Sequence, residues 1–437
     1  MADAVRVALI GFGTIGRGVV RLLHEQQTSL DRRLGFPLRL TRIADIDLES
    51  DRGVPLEGIA LTRDWREAAG ADDVDLVIEL VGGTGIAREI VCETLRSGRG
   101  VVTANKALLA HFGPELYEAA RAAGADLAFE ASVGGTIPVL RALREGLCAD
   151  RLRSVVGIVN GTCNYVLSEM REAGESYASA LKRAQDLGFA EADPSFDVDG
   201  SDSMHKLAIL VGLAFGAHLG PNDIATRGIQ ALQPVDLEFA SRFGLRIKLL
   251  ALAKLREGTL EARVEPMMIP EQSLLAGVGG AMNAIEISGE FSGPTLYYGA
   301  GAGSLPTASA VVSDLMELAR ALRLGAQGRV SPLGCPSLRS LPLRSPADGV
   351  SEFYLRFTVA DRPNVLAGIT GALGAQGISI ASVVQPERHE SGATPVVLMT
   401  HEAKEPGVRA ALAQIDRMGD ATAPTQVIRI EREIAGA

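Results

Sequence analysis

A carboxylate and an ammonium group stand four residues apart at the start of the most apolar helix that the sequence predicts. Asp202 and Lys206 lie just before the run Leu207 to Phe215. This run is apolar on all faces and indicates a buried helix. The acid lies N-terminal to the base, the favourable order for a pair on one helix face. One alternative is an exposed ion pair that contributes under about 0.5 kcal/mol to stability. The other is a buried lysine, opposed by the helix dipole, that donates a proton to a reacting group.

A glycine-rich turn near the N-terminus has the residue types and spacing that hold a pyrophosphate. The turn follows a short apolar strand from Val5 and opens a helical stretch to about Gln26. Backbone amides at the start of such a helix, together with its dipole, bind phosphate groups. A turn without a ligand is the alternative, but the position at the start of a βαβ unit favours a dinucleotide. The residues expected to hold it are Gly11, Phe12, Gly13, Thr14, Ile15 and Gly16.

The acidic residue that ends the next predicted strand bears on which dinucleotide is bound. Asp45 is placed to accept hydrogen bonds from the ribose hydroxyls of NAD, whereas the 2′-phosphate of NADP favours a neighbouring arginine. The neighbours of Asp45 are Ala44 and Ile46, and Arg42 lies further upstream. The sequence therefore favours NAD without excluding NADP.

A second lysine and a pair of glycines are predicted at one edge of the sheet. Lys106 follows the apolar strand Gly100 to Thr103, and Gly82 and Gly83 follow the strand Val74 to Leu80. Ligands of open α/β sheets collect at the carboxyl ends of the strands, and glycines there would let a nicotinamide or ribose approach closely. An exposed lysine that opens a helix is the commoner alternative, although a cation at a helix N-terminus opposes the dipole.

Carboxylates are concentrated in the segment that leads into the apolar helix. The segment from Gly188 onward contains Glu191, Asp193, Asp197 and Asp199. Such a group suits a substrate that carries an ammonium group, and it equally suits a solvated loop. Both alternatives are open from sequence alone.

The elements that must position these residues fall into four parts. Alternating strand and helix patterns over residues 1–134 predict a Rossmann-type, doubly wound parallel sheet, and a helical pattern over 306–326 is expected to complete it. Residues 135–305 mix long apolar helices with strands and predict a second domain of the α+β class. Prolines among serines and glycines in 327–349 predict a semi-rigid linker. Residues 350–437 follow a βαββαβ pattern, that of a small independent domain.

Composition and charge exclude several classes of protein. The 437 residues carry 43 Lys and Arg against 53 Asp and Glu, a net charge of −10, so no basic field is available to nucleic acid. The four cysteines lie far apart without a Cys-x-x-Cys pair, which fits a reducing cytoplasm better than a disulfide framework or a zinc site. The longest apolar run, Leu207 to Ala217, is shorter than the roughly 18 residues of a membrane span. We therefore expect a cytoplasmic protein that binds neither nucleic acid nor membrane.

Several blocks of sequence, taken in their order and spacing, resemble the homoserine dehydrogenase family over nearly the whole chain. Besides the glycine-rich turn, the blocks are Thr103 to Lys106, Val159 to Tyr165, Gly188 to Pro194, Asp202 to Lys206, Phe243 to Leu250 and Gly301 to Thr307. The tail resembles an ACT amino-acid-sensing domain through Asp361 to Leu366 and Gly377 to Ile380, with Asn364 where that motif usually has glycine.

The resemblance implies reversible hydride transfer between NAD(P)H and L-aspartate 4-semialdehyde, which gives L-homoserine in threonine and methionine biosynthesis. By the same resemblance, Lys206 donates a proton to the forming alkoxide and Asp202 orients that lysine. Lys106 assists in the site, and Glu191 holds the substrate ammonium group. The resemblance also implies that residues 135–305 form the catalytic and dimerisation domain. Further residues implied by the family are Gly188 and Gly303 near the cofactor, and Glu130, Val133, Gly135 and Ile137 around a sodium ion, for which backbone carbonyls of a glycine-rich loop are suitable ligands.

Two rival functions are considered beside this one. Cys163, which lies next to Asn164, could be the nucleophile of a semialdehyde dehydrogenase, although a free cysteine is more often a small core residue. A non-catalytic amino-acid sensor that only binds nucleotide is the other rival.

The tail carries an expectation about regulation. Threonine is expected to bind the tail and inhibit the enzyme through a difference in affinity between two states. Deleting the residues after about Val350 should then remove threonine sensitivity and leave activity. Exposed edge strands in small sensing domains commonly pair, so a homodimer or a higher homo-oligomer is expected.

Overall fold

The computed structural model describes residues 4–345, 349–385 and 393–434. Packing contacts divide the chain into two compact units, each assembled from three segments. The first comprises Met1–Gly161, Asp202–Ile224 and Ala281–Leu341, and the second comprises Thr162–Ser201, Ala225–Gly280 and Pro342–Ala437. This division differs from the four consecutive parts expected from the sequence, because strand pairing and helix packing join segments that are distant along the chain.

Helices and strands account for most of the described residues. In chain order the α-helices are α1 (Thr14–Leu34), α2 (Trp65–Ala69), α3 (Ile86–Arg96), α4 (Lys106–Ala123), α5 (Val139–Arg141), α6 (Gly161–Glu172), α7 (Tyr177–Asp186), α8 (Ser195–Val198), α9 (Ser201–Phe215), α10 (Pro234–Arg242), α11 (Ser304–Arg323), α12 (Val365–Ala375) and α13 (Glu405–Asp416). The strands are β1 (Val5–Ile10), β2 (Leu38–Ala44), β3 (Ala60–Thr62), β4 (Leu76–Glu79), β5 (Gly100–Thr103), β6 (Leu127–Ala128), β7 (Leu152–Ile158), β8 (Ala225–Thr226), β9 (Leu245–Arg256), β10 (Thr259–Pro270), β11 (Met282–Gly289), β12 (Gly293–Ala300), β13 (Val350–Ala360), β14 (Ile380–Val384), β15 (Ala393–Thr400), β16 (Ala403–Lys404) and β17 (Ala421–Ile430).

The first unit is built around a parallel sheet. Its strands follow the order β3-β2-β1-β4-β5-β6, and each neighbouring pair is parallel. Helices α1, α2, α3 and α4 connect β1 to β2, β3 to β4, β4 to β5 and β5 to β6, respectively. This arrangement confirms the predicted Rossmann-type, doubly wound sheet, in which ligands bind at the carboxyl ends of the strands.

The core of this sheet includes a helix from much later in the chain. Val7, Leu9 and Ile78 are fully buried, as is typical of parallel strands covered on both faces. Helix α11 packs along α1, and its Val311 and Leu315 belong to the same apolar cluster as the strand residues. The nucleotide-binding sheet therefore depends on apolar side chains that the N-terminal third of the chain does not supply.

Three antiparallel strands and helix α9 extend the first unit. Strand β11 pairs with β12 on one side and with β7 on the other. Helix α9 is buried along nearly its whole length from Asp202 onward, as its apolar sequence predicts. Strand β7 ends at Ile158. Val159 and Asn160 follow it directly and contact residues near the start of α9.

The second unit contains a sheet with the strand order β9-β10-β17-β13-β15-β14. Strands β9 and β10 form a long hairpin, and its two turn residues, Glu257 and Gly258, both have positive φ, the conformation that tight hairpin turns require. Strand β17 is parallel to β10, with Met268 opposite Ile430. Strand β8 pairs with β10 as well, with Arg263 opposite Ala225.

The tail forms the predicted βαββαβ arrangement through β13, α12, β14, β15, α13 and β17, with the short strand β16 added before α13. Its own apolar core contains Phe353, Leu355, Ile369 and Ile415. However, the pairing of β17 with β10 makes the tail one sheet with the hairpin that precedes it. An edge strand of the tail, which the sequence predicts as an independent domain, therefore also continues the sheet of the hairpin.

The proline-rich segment 327–349 is held to neighbouring structure at several described positions. In the first unit the backbone N–H of Arg339 donates to the carbonyl of Gly216, and Leu333 is buried. In the second unit Leu343 forms a bridge with Leu260. The composition of this segment predicts a semi-rigid spacer, and at these positions its backbone is bonded to the folded units.

Candidate active site

The carboxylate and ammonium groups at the start of α9 form a buried pair. Asp202 is 4% exposed and Lys206 is 9% exposed. Lys206 Nζ donates to Asp202 Oδ2 at 2.8 Å and to the carbonyl oxygen of Val159 at 2.6 Å. The alternative of an exposed ion pair is therefore wrong, because both charges are shielded from solvent and need partners inside the protein.

The same carboxylate brings the second lysine into the cluster. Lys106 Nζ lies 3.1 Å from Asp202 Oδ1, and Asn160 Nδ2 donates to Asp202 Oδ2 at 2.8 Å. Lys106 is the first residue of α4, and its side chain is 35% exposed, so the cluster opens to solvent on that side. Two ammonium groups thus share one carboxylate, and the cluster carries an excess of positive charge. Such a charge suits an oxygen that becomes negative during a reaction.

Electrostatics keep the carboxylate of Asp202 ionised. Burial by itself would raise the pKa of Asp202, but the ammonium groups of Lys206 and Lys106 hold that pKa well below its usual range. Hydrogen bonds from Lys206 and Asn160 to the carboxylate act in the same direction. The acid therefore orients the two lysines and does not itself serve as a proton donor near neutral pH.

A histidine next to the cluster was not singled out by the sequence analysis. His205 is buried, and its ring lies edge-on to that of His111 with 5.2 Å between the centroids. Burial, together with His111, lowers the pKa of His205 to about 4. The imidazole is therefore neutral at physiological pH. Its position beside Lys206 in the sequence is the signal that could have drawn attention to it.

The glycine-rich turn has the shape of a phosphate cradle. Gly11 has a φ of +97°, and a side chain there would meet the backbone of Leu80 at 2.5 Å. A side chain at Gly16 would lie 2.3 Å from the carbonyl oxygen of Gly11. Gly13, in contrast, leaves open space where a Cβ would lie, with no atom within 4 Å, and caps α1 without a side chain. The turn is thus tightly packed on the protein side and open where a pyrophosphate would approach.

Asp45 closes this cradle on one side. Its Oδ2 accepts a hydrogen bond from the backbone N–H of Phe12, and its Oδ1 accepts one from the backbone N–H of Asp47 at 2.8 Å. Arg42, which the sequence left as a partner for a 2′-phosphate, pairs instead with Asp73. The guanidinium of Arg52 lies 5.9 Å from the centre of the Phe12 ring. Arg52 pairs with Asp47 at 2.9 Å, and the sequence analysis did not consider it because it lies in the loop after Asp45 and is not adjacent to that residue in the chain.

The predicted glycine pair lies beside the start of α4 at the sheet edge. Gly82 and Gly83 both have positive φ, and nothing lies within 4 Å of either Cβ position. Asn105 donates through its side chain to the carbonyl of Gly83 at 2.7 Å and caps α4. Buried Glu79 accepts from the Thr103 hydroxyl at 2.6 Å, and burial raises the pKa of its carboxyl. These bonds fix the two loops and leave the glycine surface open to a ligand.

The loop implied as a sodium site is a tight turn in the first unit. The Glu130 carboxylate accepts from the backbone N–H groups of Leu140 and Arg141, each at 2.8 Å. The carbonyl of Ile137 accepts from Val139. Across the described residues, the carbonyls of Val133 and Gly135 accept no hydrogen bond. These two oxygens fit a hard cation that prefers oxygen ligands.

The remaining predicted residues are divided between the units. Gly303 caps α11 in the first unit with a φ of +122°, and the hydroxyl of the next residue, Ser304, donates to the Thr14 carbonyl at 2.7 Å. The turn at Gly303 is therefore adjacent to the start of α1. Gly188 and Glu191 belong to the second unit and are exposed.

Cys163 is a buried core residue. It is fully shielded from solvent, and its thiol donates to the carbonyl of Asp197 at 3.3 Å. Both residues belong to the second unit. A thiol in this environment is a poor nucleophile, which disfavours the rival mechanism through a thiohemiacetal.

The described helices include none that is both long and apolar enough to cross a membrane.

Family models match three stretches of the chain: "Homoserine dehydrogenase, NAD binding domain" over residues 11–130, "Homoserine dehydrogenase" over 138–316 and "ACT domain" over 353–420. The matched ranges contain the glycine-rich cradle, the lysine and aspartate of α9, and the tail from within β13 to the end of α13.

Similar proteins extend over nearly the whole chain. Homoserine dehydrogenases of Neisseria gonorrhoeae and Pseudomonas aeruginosa are 40% and 41% identical over 98% of this chain and over 98% and 99% of their own lengths. The crystal structure of a homoserine dehydrogenase from Thiobacillus denitrificans matches with a TM-score of 0.92 at 41% identity, covering 98% of this chain and 99% of that one. Identity at this level, with no large part of either chain left unmatched, shows that the chain belongs to the homoserine dehydrogenase family and is an NAD(P)-dependent oxidoreductase with a C-terminal ACT domain.

Proposed function

We propose that Lys206 supplies the proton when this enzyme reduces L-aspartate 4-semialdehyde to L-homoserine with NAD(P)H. The observation that supports this role is the hydrogen bonding of Nζ. An ammonium group has three N–H donors, and two are used by Val159 and Asp202. Within the described parts of the chain, no third acceptor is bonded to Nζ. One donor is therefore left for the aldehyde oxygen.

The bound nicotinamide supplies the hydride to C4 of the substrate, or accepts it in the reverse direction. The aldehyde oxygen becomes an alkoxide as the carbon is reduced, and the free N–H of Lys206 donates its proton to that oxygen. In the oxidation of homoserine, Lys206 takes the proton back from the hydroxyl. Asp202 holds the lysine in place, and the ammonium group of Lys106 adds positive charge that stabilises the alkoxide.

The cofactor and substrate assignments rest on the open space beside the glycines and on the charge of two carboxylates. Gly11, Phe12, Gly13, Thr14, Ile15 and Gly16 hold the pyrophosphate, Asp45 faces the ribose, and Gly82, Gly83, Gly188 and Gly303 allow close approach. The exposed carboxylate of Glu191 binds the substrate ammonium group. A sodium ion, if taken up, binds the carbonyls of Glu130, Val133, Gly135 and Ile137, of which those of Val133 and Gly135 accept no hydrogen bond from the described residues.

The experiment compares Lys206→Ala with Lys182→Ala. Lys182 is an exposed lysine, 68% accessible, that pairs with Asp186 on α7, so its removal controls for the loss of a lysine elsewhere. Lys206→Ala is expected to lower kcat for homoserine oxidation by roughly 100-fold or more, while the chain still folds and binds NAD(P), because Lys106 and Asn160 still contact the Asp202 carboxylate. Cys163→Ser should retain activity. Normal turnover by Lys206→Ala, together with loss of turnover by Cys163→Ser, would refute the assignment.

The ACT tail supports binding of a small-molecule effector, and we propose threonine. Asn364 immediately precedes α12 and has a φ of +73°, a left-handed conformation in which Asn is the usual substitute for Gly. The replacement of glycine in this motif is therefore compatible with the turn. Inhibition of homoserine oxidation by millimolar threonine is the test, and an unchanged rate argues for another effector.

We also propose a homodimer or higher homo-oligomer in the cytoplasm. Strand β12 lies at the edge of its sheet, and Tyr298 and Phe291 near it are 58% and 71% exposed, which suits pairing with a second copy. None of the four cysteines, all of which the structure describes, forms a disulfide, as expected in a reducing compartment. Sedimentation analysis tests the oligomer, and a monomer at micromolar concentration contradicts it.

A further inference from the structure

We propose that a cavity in the second unit binds a small α-amino acid through its carboxylate and ammonium groups. The cavity has a volume of about 370 Å³ and lies where α13 and β17 of the tail meet strands β8 and β10. Its size is near the lower end of ligand pockets, about 300–1,000 Å³. The inference rests on the proposed function in one respect, the assignment of a regulatory role to the tail. It adds a location and the groups that recognise the ligand.

The cavity wall carries more positive than negative groups. Its charged lining consists of Arg227, Arg263, Arg409, Arg429, Glu265 and Glu405. One further carboxylate, Glu261, pairs with Arg263 at 2.9 Å from outside this lining. Four guanidinium groups therefore face three carboxylates. The charge left over favours a ligand with a carboxylate, which Arg binds through two parallel hydrogen bonds.

Two of the arginines are buried in the wall. The side chains of Arg263 and Arg429 are 8% and 5% exposed. Glu265 joins them, with its Oε1 at 3.2 Å from Arg263 Nη1 and at 3.1 Å from Arg429 Nε. Glu405 pairs with Arg429 from the tail side. These contacts hold the guanidinium groups in fixed positions, which is the pre-organisation that a specific ligand site needs.

One buried donor on the wall lacks a partner. Arg263 Nε is shielded from solvent and donates to no acceptor among the described residues. Buried N–H groups are nearly always hydrogen-bonded in native proteins. A carboxylate bound in the cavity would supply the missing acceptor. Arg263 as a residue is 6% exposed, so solvent outside the cavity gives little compensation.

The rest of the lining sets the kind of side chain that fits. Phe353, Val408 and Leu412 contribute an apolar wall, which suits a short aliphatic or hydroxylated side chain. Glu265 and Glu405 provide acceptors for an ammonium group. Arg227 lies at a more open position, with its side chain 42% exposed, and donates to the carbonyl of Val427. A small α-amino acid matches the wall better than a simple anion, since both signs of charge are present.

Ligand binding here would act on two parts of the unit at once. Arg409 and Arg429 belong to the tail, whereas Arg227 and Arg263 belong to the segment before it. The strands that carry Arg263 and Arg429 are neighbours in the sheet, because β10 pairs with β17. An occupied cavity can therefore shift an equilibrium of this unit if its two states bind the ligand with different affinity.

Titration calorimetry of the full chain tests the site. The probes are L-threonine, L-valine, L-methionine and L-lysine, with 3-hydroxybutyrate lacking the ammonium group and 1-amino-2-propanol lacking the carboxylate. The variants are Leu412→Trp, which fills the cavity, and Arg227→Gln, which removes a charge from its more open side. Arg417→Gln, an exposed arginine at the end of α13, is the matched control.

At least one amino acid is expected to bind, with both truncated probes weaker by tenfold or more. Leu412→Trp and Arg227→Gln should each raise the Kd for that amino acid by tenfold or more. Arg417→Gln should change neither this Kd nor the basal rate of homoserine oxidation. Unaltered Kd in both variants would place the effector elsewhere and overturn the cavity assignment, although regulation by the tail would stand. Equal binding of 3-hydroxybutyrate, or no binding by any amino acid, also overturns it. Neither result bears on Lys206, which the turnover of its own variant tests.

Discussion

At the scale of single residues, the site depends on one carboxylate that serves two ammonium groups. Asp202 contacts both Lys206 and Lys106 because the N-termini of α9 and α4 lie close together in the first unit. Lys106, the first residue of α4, opposes the dipole of that helix at a cost of about 0.3–1 kcal/mol. The shared carboxylate offsets this cost and leaves net positive charge at the proposed position of the alkoxide.

The buried imidazole gives a prediction about pH and stability. His205 has a pKa of about 4 in the folded protein against 6.5 when unperturbed, so between these values the unfolded chain binds a proton that the folded chain does not. Stability should therefore fall as the pH drops from about 6.5 toward 4. His111, Asp202 and Lys106 are the charged or titratable neighbours that contribute to the shift.

The measurement is the free energy of unfolding in urea at pH 7.5 and pH 5. His205→Gln should lose less stability over this interval than the wild-type protein, whereas the exposed His24→Gln should lose as much as wild type. An equal loss in all three proteins would show that other groups govern the acid sensitivity.

A second prediction at this scale concerns the choice of dinucleotide. Arg52 lies near Phe12 in the cradle, and its Nε is buried without an acceptor among the described residues. Guanidinium groups bind phosphate strongly, so Arg52→Gln should raise KM for NADP by about tenfold and change KM for NAD little. Arg52 pairs with Asp47 and Arg42 pairs with Asp73, so Arg42→Gln is the control for the loss of a paired arginine near Asp45. Equal changes with both dinucleotides would remove Arg52 from this role.

At the scale of elements, the strand–turn–helix at the N-terminus separates packing from ligand binding. Gly11 and Gly16 are needed because the backbone comes too close for a side chain, whereas Gly13 faces open space. Gly13→Ala should therefore fold with a thermal midpoint close to that of wild type and weaken NAD(P) binding tenfold or more, since the methyl group occupies the phosphate approach.

Fluorescence titration with NADPH and thermal denaturation measure the two effects of Gly13→Ala. Gly374→Ala in α12, where a side chain also meets no atom within 4 Å, should leave both quantities unchanged or raise stability slightly. A large loss of stability in Gly13→Ala, with binding unaltered, would mean that the glycine serves packing.

The pairing of β10 with β17 changes the result expected from deletion of the tail. A sensing domain attached by a free linker could be deleted without harm. Here the tail continues the sheet of the β9–β10 hairpin, so deletion after Val350 uncovers the edge of β10. An uncovered edge strand exposes unpaired backbone groups and promotes aggregation.

At the scale of the whole molecule, the second unit is held together by a buried charge pair between distant segments. Asp236 on α10 is fully buried, and it accepts from Arg356 Nε at 2.6 Å and from the Tyr354 hydroxyl at 2.9 Å. Both partners belong to the tail strand β13. Removal of the tail would leave the Asp236 carboxylate buried without these partners, which is strongly unfavourable.

Arg356→Gln should lower the free energy of unfolding by about 3 kcal/mol or more, measured by urea denaturation. Arg432→Gln, which breaks an exposed pair with Glu352, should change it by less than about 1 kcal/mol. The truncated chain should be less stable than the full chain, and Asp236→Asn should restore part of the loss by removing the buried charge. A truncated enzyme with full stability would contradict this account and restore the original expectation of a separable tail.

The sequence by itself determined the features that are encoded within short stretches. The cradle from Gly11 to Gly16 follows from a strand, a turn and a helix that are adjacent in the chain, and the βαββαβ tail follows from local periodicity. The buried character of α9 follows from its composition, since a helix that is apolar on all faces must be covered.

Only the tertiary structure decided which of these stretches meet. Lys106 and Asn160 reach Asp202 from separate elements, so no spacing rule could pair them, and the two alternatives for Lys206 differed only in burial. The same reason explains Arg52 beside Phe12 and β17 beside β10. Side-chain hydrogen bonds and strand neighbours depend on chain segments that are remote in sequence, and local propensity carries no information about their distance in space.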